Sequence, residues 1–210
     1  MILFAFFAYK MNIMNKLLIL IVLLVSCKVT TTRKAKIDFK LETKESLEDY
    51  LSENDVDYSA NHLYSLKDIQ TFAEFNDQEK LSVPEVLFFN KKGLQVKNVF
   101  NNKECTTILS DFEVIENLEV DPAAWDFDTL LKKLHPLHSS EVNKGNNSVV
   151  IFYGKYVSNE KSINKQSFEW YEKISKAANA KSNINILLVS LDVMENWNLT
   201  EETKRSIGIQ

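Results

Sequence analysis

Two largely apolar runs, residues 148–153 (SVVIFY) and 184–193 (INILLVSLDV), flank an amphipathic stretch, and this arrangement constrains the fold more than any other feature. A strand that is apolar at nearly every position has no face to offer water. It has to be covered on both sides, as strands in parallel sheets layered by helices are. Between the runs, Phe168, Trp170, Tyr171, Ile174 and Ala177-Ala178 recur at helical spacing. Strand, helix and strand in this order imply a right-handed βαβ unit. Thr200-Glu-Glu-Thr then has the form of a capping box and opens a further helix reaching Ile207-Gly208.

Residues 37–136 carry shorter, more mixed patterns. Residues 37–41 alternate apolar and polar, as a half-buried strand does. Leu47, Tyr50 and Leu51 give a helix over 45–54 that Asn54 can end. Residues 56–63 form a weaker strand candidate. Ser65 is placed to cap a helix through Leu66, Ile69, Phe72, Ala73 and Phe75, with Asp68 in its acidic first turn. Residues 85–89 and 94–99, joined by a turn containing Gly93, read as a β-hairpin. Pro84 opens the first of these strands, a place where a sheet tolerates proline. Ile108, Leu109, Phe112, Ile115 and Leu118 have helical spacing, and residues 119–124 break it. A short helix over 125–134 is stopped by Pro136, with Asp126 and Asp128 compensating the dipole at its start. Residues 137–147 hold Ser, Asn and Gly and read as a linker.

The N-terminus reads as an address. Lys16 precedes nine apolar residues (17–25), which end in Leu24-Val25-Ser26-Cys27. A positive n-region, a short apolar core and a small residue before cysteine make a secretory signal with a bacterial lipobox. The run is far shorter than the roughly 20 residues that cross a bilayer. The chain is therefore expected to be anchored through lipid on Cys27, with residues 1–27 as signal peptide and lipobox. Residues 1–10 read as an over-called start, since Met11 and Met14 each give a cleaner signal. Residues 28–36 (KVTTTRKAK) are expected to be a polar tether. Lys28 stands where an inner-membrane lipoprotein of some bacteria carries Asp. The expected location is thus the cell envelope, facing the periplasm, with the outer membrane favoured over the inner.

Composition closes several routes. Aromatic residues at 11% and charged residues at 26% suit a packed domain and argue against disorder. A formal net charge of −4 gives nucleic acid no reason to bind. The chain has two cysteines, so lipidation of Cys27 leaves Cys105 alone and excludes an intrachain disulfide. His135 and His138 stand near each other without further ligands, and neither a metal nor a cofactor is expected. With four glycines there is no phosphate-binding loop, and no serine sits in a motif that would support a triad.

The order of elements, with the strings Val83-Pro84, LFFNKKG, VVIFYGKY and LLVSLDVMENWNLTEETKRSIGI, resembles the thioredoxin-like fold. That resemblance implies an α/β chain with a βαβαββα lobe over 37–136 and a second, incomplete βαβα lobe over 148–210, joined by the linker. It also makes Val83-Pro84 the counterpart of the family's cis-proline dipeptide. Three arrangements stay open for the ending: a truncated second lobe, one permuted domain in which the C-terminal half packs on residues 83–118, or a first sheet extended by the later strands. Two lobes are the favoured expectation. The family's redox motif, CxxC between first strand and first helix, is absent. Those turns read Glu42-Thr-Lys-Glu-Ser46 and 155–167, neither with cysteine.

The resemblance implies a binding groove lined by Val83 and Pro84, with Tyr153, Lys155 and Tyr156 in the place of the redox motif. The expected function is a lipid-anchored, non-dithiol envelope protein that binds a protein or peptide. The alternative is a single-cysteine thiol oxidoreductase or peroxidase-like enzyme using Cys105. That thiol sits at an expected helix start after Lys103, where its thiolate would be favoured.

Overall fold

The computed structural model describes residues 37–97, 112–157, 161–179 and 184–209. In chain order the elements are β1 (Leu41–Glu42), α1 (Lys44–Glu53), β2 (Leu63–Leu66), α2 (Ile69–Asp77), β3 (Glu85–Phe89), α3 (Phe127–Leu131) and β4 (Leu134–Pro136). Then follow β5 (Asn147–Tyr153), α4 (Lys161–Asn179), β6 (Ile184–Ser190), β7 (Val193–Met194) and α5 (Glu201–Ser206). Single 3-10 turns lie at Ala60–His62, Phe112–Asn117 and Glu195–Trp197.

The architecture is mixed α/β, around a five-stranded sheet ordered β3-β5-β6-β2-β4. All of β5 is buried, and β6 is buried after its first residue. The two run parallel from Asn147↔Ile184 to Tyr153↔Ser190, with α4 between them in sequence. On the other side of β5 lies β3, antiparallel, from Glu85↔Phe152 to Phe89↔Ser148. On the other side of β6 lies β2, parallel, and β4 adds antiparallel to β2.

Strands from both sides of residues 137–147 therefore share one sheet, and Ala35–Gln210 forms a single packed unit. The expected division into a lobe over 37–136 and a partial lobe over 148–210 is not how the sheet is built. Within 37–136, β2 and β3 are not even neighbours, because β5 and β6 stand between them. The physical reason is edge pairing. A βαβα unit alone would leave the outer backbone groups of β5 and β6 open, and β3 and β2 satisfy them.

Each face of the sheet carries its own core. Val149, Ile151 and Tyr153 pack with Leu51, Phe168, Tyr171 and Ile174 on the face covered by α1 and α4. Val150 and Phe152 pack with Phe72, Phe75, Phe127 and Leu130 on the other. Alternation along β5 thus feeds both cores, at about 1.5–3 kcal/mol for each large apolar side chain fully buried.

Local signals fare unevenly. Helix α1 starts on a capping box, with Thr43 Oγ1 accepting from Ser46 N at 3.1 Å and Ser46 Oγ accepting from Thr43 N at 2.9 Å. Asn54 follows it as its C-cap. Helix α2 does not begin at Ser65. Asp68 is its cap, accepting from Thr71 N at 2.8 Å, while Ser65 is buried within β2. The pairing of Tyr64 and Ser65 with Val189 and Ser190 holds that segment extended. Residues 56–62 are irregular chain followed by 3-10 helix, so the strand expected there lies later, at Leu63–Leu66. The alternation over 37–41 yields a bridge from Ile37 to Val157 and the short β1, which pairs with β7 outside the main sheet. The hairpin turn forms with Gly93 at φ +76°, and over the described residues 94–97 the expected return strand is seen as bridges at Gln95 and Val96. Pro136 does not end a helix but closes β4. The helix expected through 108–118 is seen only as the 3-10 turn at its end, because residues 98–111 lie outside the described residues.

No helix among the described residues is long and apolar enough to cross a membrane. The signal peptide, Cys27 and the tether lie outside the described residues, and so does Cys105.

Candidate functional site

The buried strand β5 ends in Tyr153, and the chain then turns through Gly154-Lys155-Tyr156-Val157 before α4. Asn164 of α4 clamps the first of these residues. Its Oδ1 accepts from Gly154 N at 3.1 Å and its Nδ2 donates to Gly154 O at 2.8 Å. Gly154 is needed there because a Cβ would lie well inside contact distance of the Tyr156 ring. Asp192, just past β6, holds the next two residues: its carboxylate accepts from Lys155 N at 2.9 Å and Tyr156 N at 3.0 Å. The Ser190 hydroxyl donates to it at 2.7 Å. Asp192 is 2% exposed, and burial pushes its carboxyl up to about 6 against the pull of these hydrogen bonds.

The Lys155 side chain turns toward α1. Its ammonium pairs with Glu42 at 2.5 Å, donates to Ser46 O at 3.1 Å and lies 5.7 Å from the Tyr50 ring centre. Glu42, itself buried, also accepts from Ser46 Oγ at 2.6 Å. The ammonium is thereby held by a carboxylate and a carbonyl. The Tyr153 hydroxyl is fully buried and makes no hydrogen bond of ordinary geometry; burial and the charge of Asp192 push its pKa upward. Tyr156 faces the opposite core. Its ring lies 4.9 Å from that of Phe39, and its hydroxyl donates to Leu81 O at 2.9 Å.

The five expected binding residues thus divide. Tyr156 joins the turn before β3, where Val83 packs against the same core and the Val83-Pro84 peptide is cis. Tyr153 points to the other face of the sheet and Lys155 to α1, so neither joins Val83 and Pro84.

Beside this turn, a cavity of about 180 Å³ opens between α2, β3 and residues 121–125. Phe75, Leu87, Phe89, Trp125, Leu130 and Phe152 give it an apolar lining. Four polar residues also line it: Lys80, Glu85, Gln95 and Asp121. The Lys80 ammonium sits 3.3 Å from the centre of the Trp125 ring, and that of Lys133 is 4.8 Å away. Burial pushes the Lys80 pKa down and the Glu85 pKa up. Among the described residues the Glu85 carboxylate has neither a hydrogen bond nor an ion pair within bonding distance. Sequence reading missed this place, although a signal was present: Glu85 falls on the apolar face that Leu87 and Phe89 continue.

A second polar cavity, about 310 Å³, contains His62 and Tyr171. His62 Nδ1 lies 3.0 Å from Tyr171 Oη, which also accepts from Ser59 N at 2.9 Å. Burial pushes the His62 pKa down. No spacing rule links residues so far apart, so the sequence held no sign of the pair. Among the described residues no group of three or more His, Cys, Asp or Glu side chains is placed to hold a metal ion.

No family model matches this chain, and neither a curated protein nor a solved structure matches it.

Proposed function

We propose that the chain is a lipid-anchored protein of the bacterial envelope whose folded part is a permuted thioredoxin-like domain. It binds a peptide segment of another protein and performs no dithiol exchange. Read from β5, the order β5-α4-β6-α5 corresponds to the family's first half, and β3 with its turn to the start of the second. The antiparallel placing of β3 on β5, opposite the parallel β6, is what such a permutation requires. Gly154-Lys155-Tyr156-Val157 then stands where the family has its dithiol. The lipobox at Cys27 and the tether over 28–36 set the folded part off a membrane, with the outer membrane favoured.

The observation that carries this reading is the closure of the 154–157 turn. Asp192 fixes its backbone, Glu42 takes its lysine, and Tyr156 ties it to Leu81 beside Val83 and Pro84. A rigid turn without a thiol, next to the start of a strand, suits recognition of extended chain and not electron exchange. Mass spectrometry of the mature N-terminus tests the anchor, with a diacylglyceryl group on Cys27 expected. An NMR titration with unstructured peptides tests binding. Shifts should concentrate at residues 81–87 and 154–157; no response to any peptide, or steady reduction of insulin disulfides, would sink the proposal.

A further inference from the structure

We infer that the cavity beside β3 is the anchor pocket of this peptide site, taking one neutral, apolar side chain the size of leucine or phenylalanine. The inference rests on the peptide reading above and gives it a specificity. Size comes first. The cavity measures about 180 Å³, and an apolar cavity of about 150 Å³ in a protein interior is enough to hold benzene. A single ring or an isobutyl group fits, and a second side chain does not.

Charge makes the same choice. Lys80 and Glu85 place opposite charges in one small, largely apolar space, close enough to feel each other's field but not in direct ion-pair contact. A cationic side chain would meet Lys80 on the Trp125 ring, and an anionic one would meet Glu85 and Asp121. A neutral side chain avoids both conflicts. The polar needs of the lining are also those a peptide meets. The Glu85 carboxylate accepts no hydrogen bond from a described residue, and Gln95 lines the same cavity. A main-chain N–H and C=O beside the anchoring side chain complement these two groups, since a half-buried acceptor gains from any donor brought to it. Position agrees as well: Glu85 and Leu87 follow directly on Val83-Pro84, so a chain passing that turn reaches the cavity within two residues.

The test uses the full-length chain in detergent micelles and four blocked tripeptides, acetyl-Gly-X-Gly-amide with X as Phe, Leu, Ala or Lys, followed by NMR. The Phe and Leu probes should bind about ten-fold or more tighter than the Ala and Lys probes, with shifts at Leu87, Phe89 and the Trp125 indole. Ala124→Phe, which fills the cavity from a loop, should remove that preference. The comparison among probes on the unaltered chain stands even if this variant folds poorly. Equal binding of the Phe and Ala probes, with shifts only at residues 81–84, overturns the pocket and leaves peptide binding in place. No response to these tripeptides or to longer unstructured peptides overturns both. Silence toward every probe overturns the pocket.

Discussion

The Tyr156 hydroxyl donates to the carbonyl oxygen of Leu81 at 2.9 Å, joining two turns that stand 75 residues apart in the chain. One turn follows β5 and the other leads into β3, and the bond is the direct polar link between them. Its donor is buried, so water cannot replace it cheaply. Tyr156→Phe should lower stability by about 1 kcal/mol, read as a lower urea midpoint. It should also speed amide exchange over residues 81–85; unchanged exchange there would show that packing alone holds the turn.

Gly154→Ala should cost more. The new methyl group would collide with the Tyr156 ring at a buried position already clamped by Asn164. Overpacking of this kind costs about 1–3 kcal/mol. Adding Tyr156→Ala to Gly154→Ala opens the space, so the double variant should lose less than the two single losses added together. Strict additivity in thermal or urea unfolding would refute the collision.

Asp192 gives a pH signature. Its folded-state pKa is pushed up to about 6, above the ordinary value of 3.8, by burial and by the nearby charge of Glu42. The folded protein therefore binds this proton more readily than the unfolded chain does. The stabilisation it confers is fully present below about pH 4 and is lost as pH rises through about 6. His62 acts in the opposite sense, because burial lowers its pKa and stability falls as it is forced to accept a proton. Comparison with Asp192→Asn isolates the carboxylate. Between pH 7 and pH 4 the parent should gain on the order of 2 kcal/mol relative to the variant. Parallel pH curves in urea unfolding would disprove the shift.

The ammonium of Lys80 on the Trp125 ring should couple energetically. At 3.3 Å from the ring centre, in a partly desolvated place, the contact should be worth about 0.5–2 kcal/mol. A double-mutant cycle with Lys80→Met and Trp125→Leu measures it, and a coupling indistinguishable from zero would mean that Trp125 contributes only its buried surface.

The residues that were legible in the sequence are those whose reasons are local. Residues 85–89, 147–153 and 184–190 are strands because their apolar content needs cover on one or both faces, and α4 follows from the spacing of Phe168, Tyr171 and Ile174. The absence of a thiol from the turn after β5 is likewise plain from the letters. Ser65 shows the limit: as a cap residue it was a sound local choice, and pairing with Ser190 on a distant strand overrode it. Glu85 and Asp192 were visible as acids at the margins of apolar runs, but nothing local told one from the other. Asp192 finds two backbone donors and a hydroxyl, whereas Glu85 finds a cavity.

By itself the sequence determined that residues near 85–89, 148–153 and 184–190 are strands, that α4 is a helix, and that the turn after β5 carries no thiol. Periodicity and composition express these directly. Only the tertiary structure decided that β3 and β2 flank β5 and β6 in one sheet, and so that the Tyr156 turn, Pro84 and the cavity lie together. Strand partners are chosen through backbone groups that every residue shares, so the letters of one strand do not name its neighbour. The choice falls to whichever edges would otherwise stay unpaired once both faces of β5 and β6 are covered.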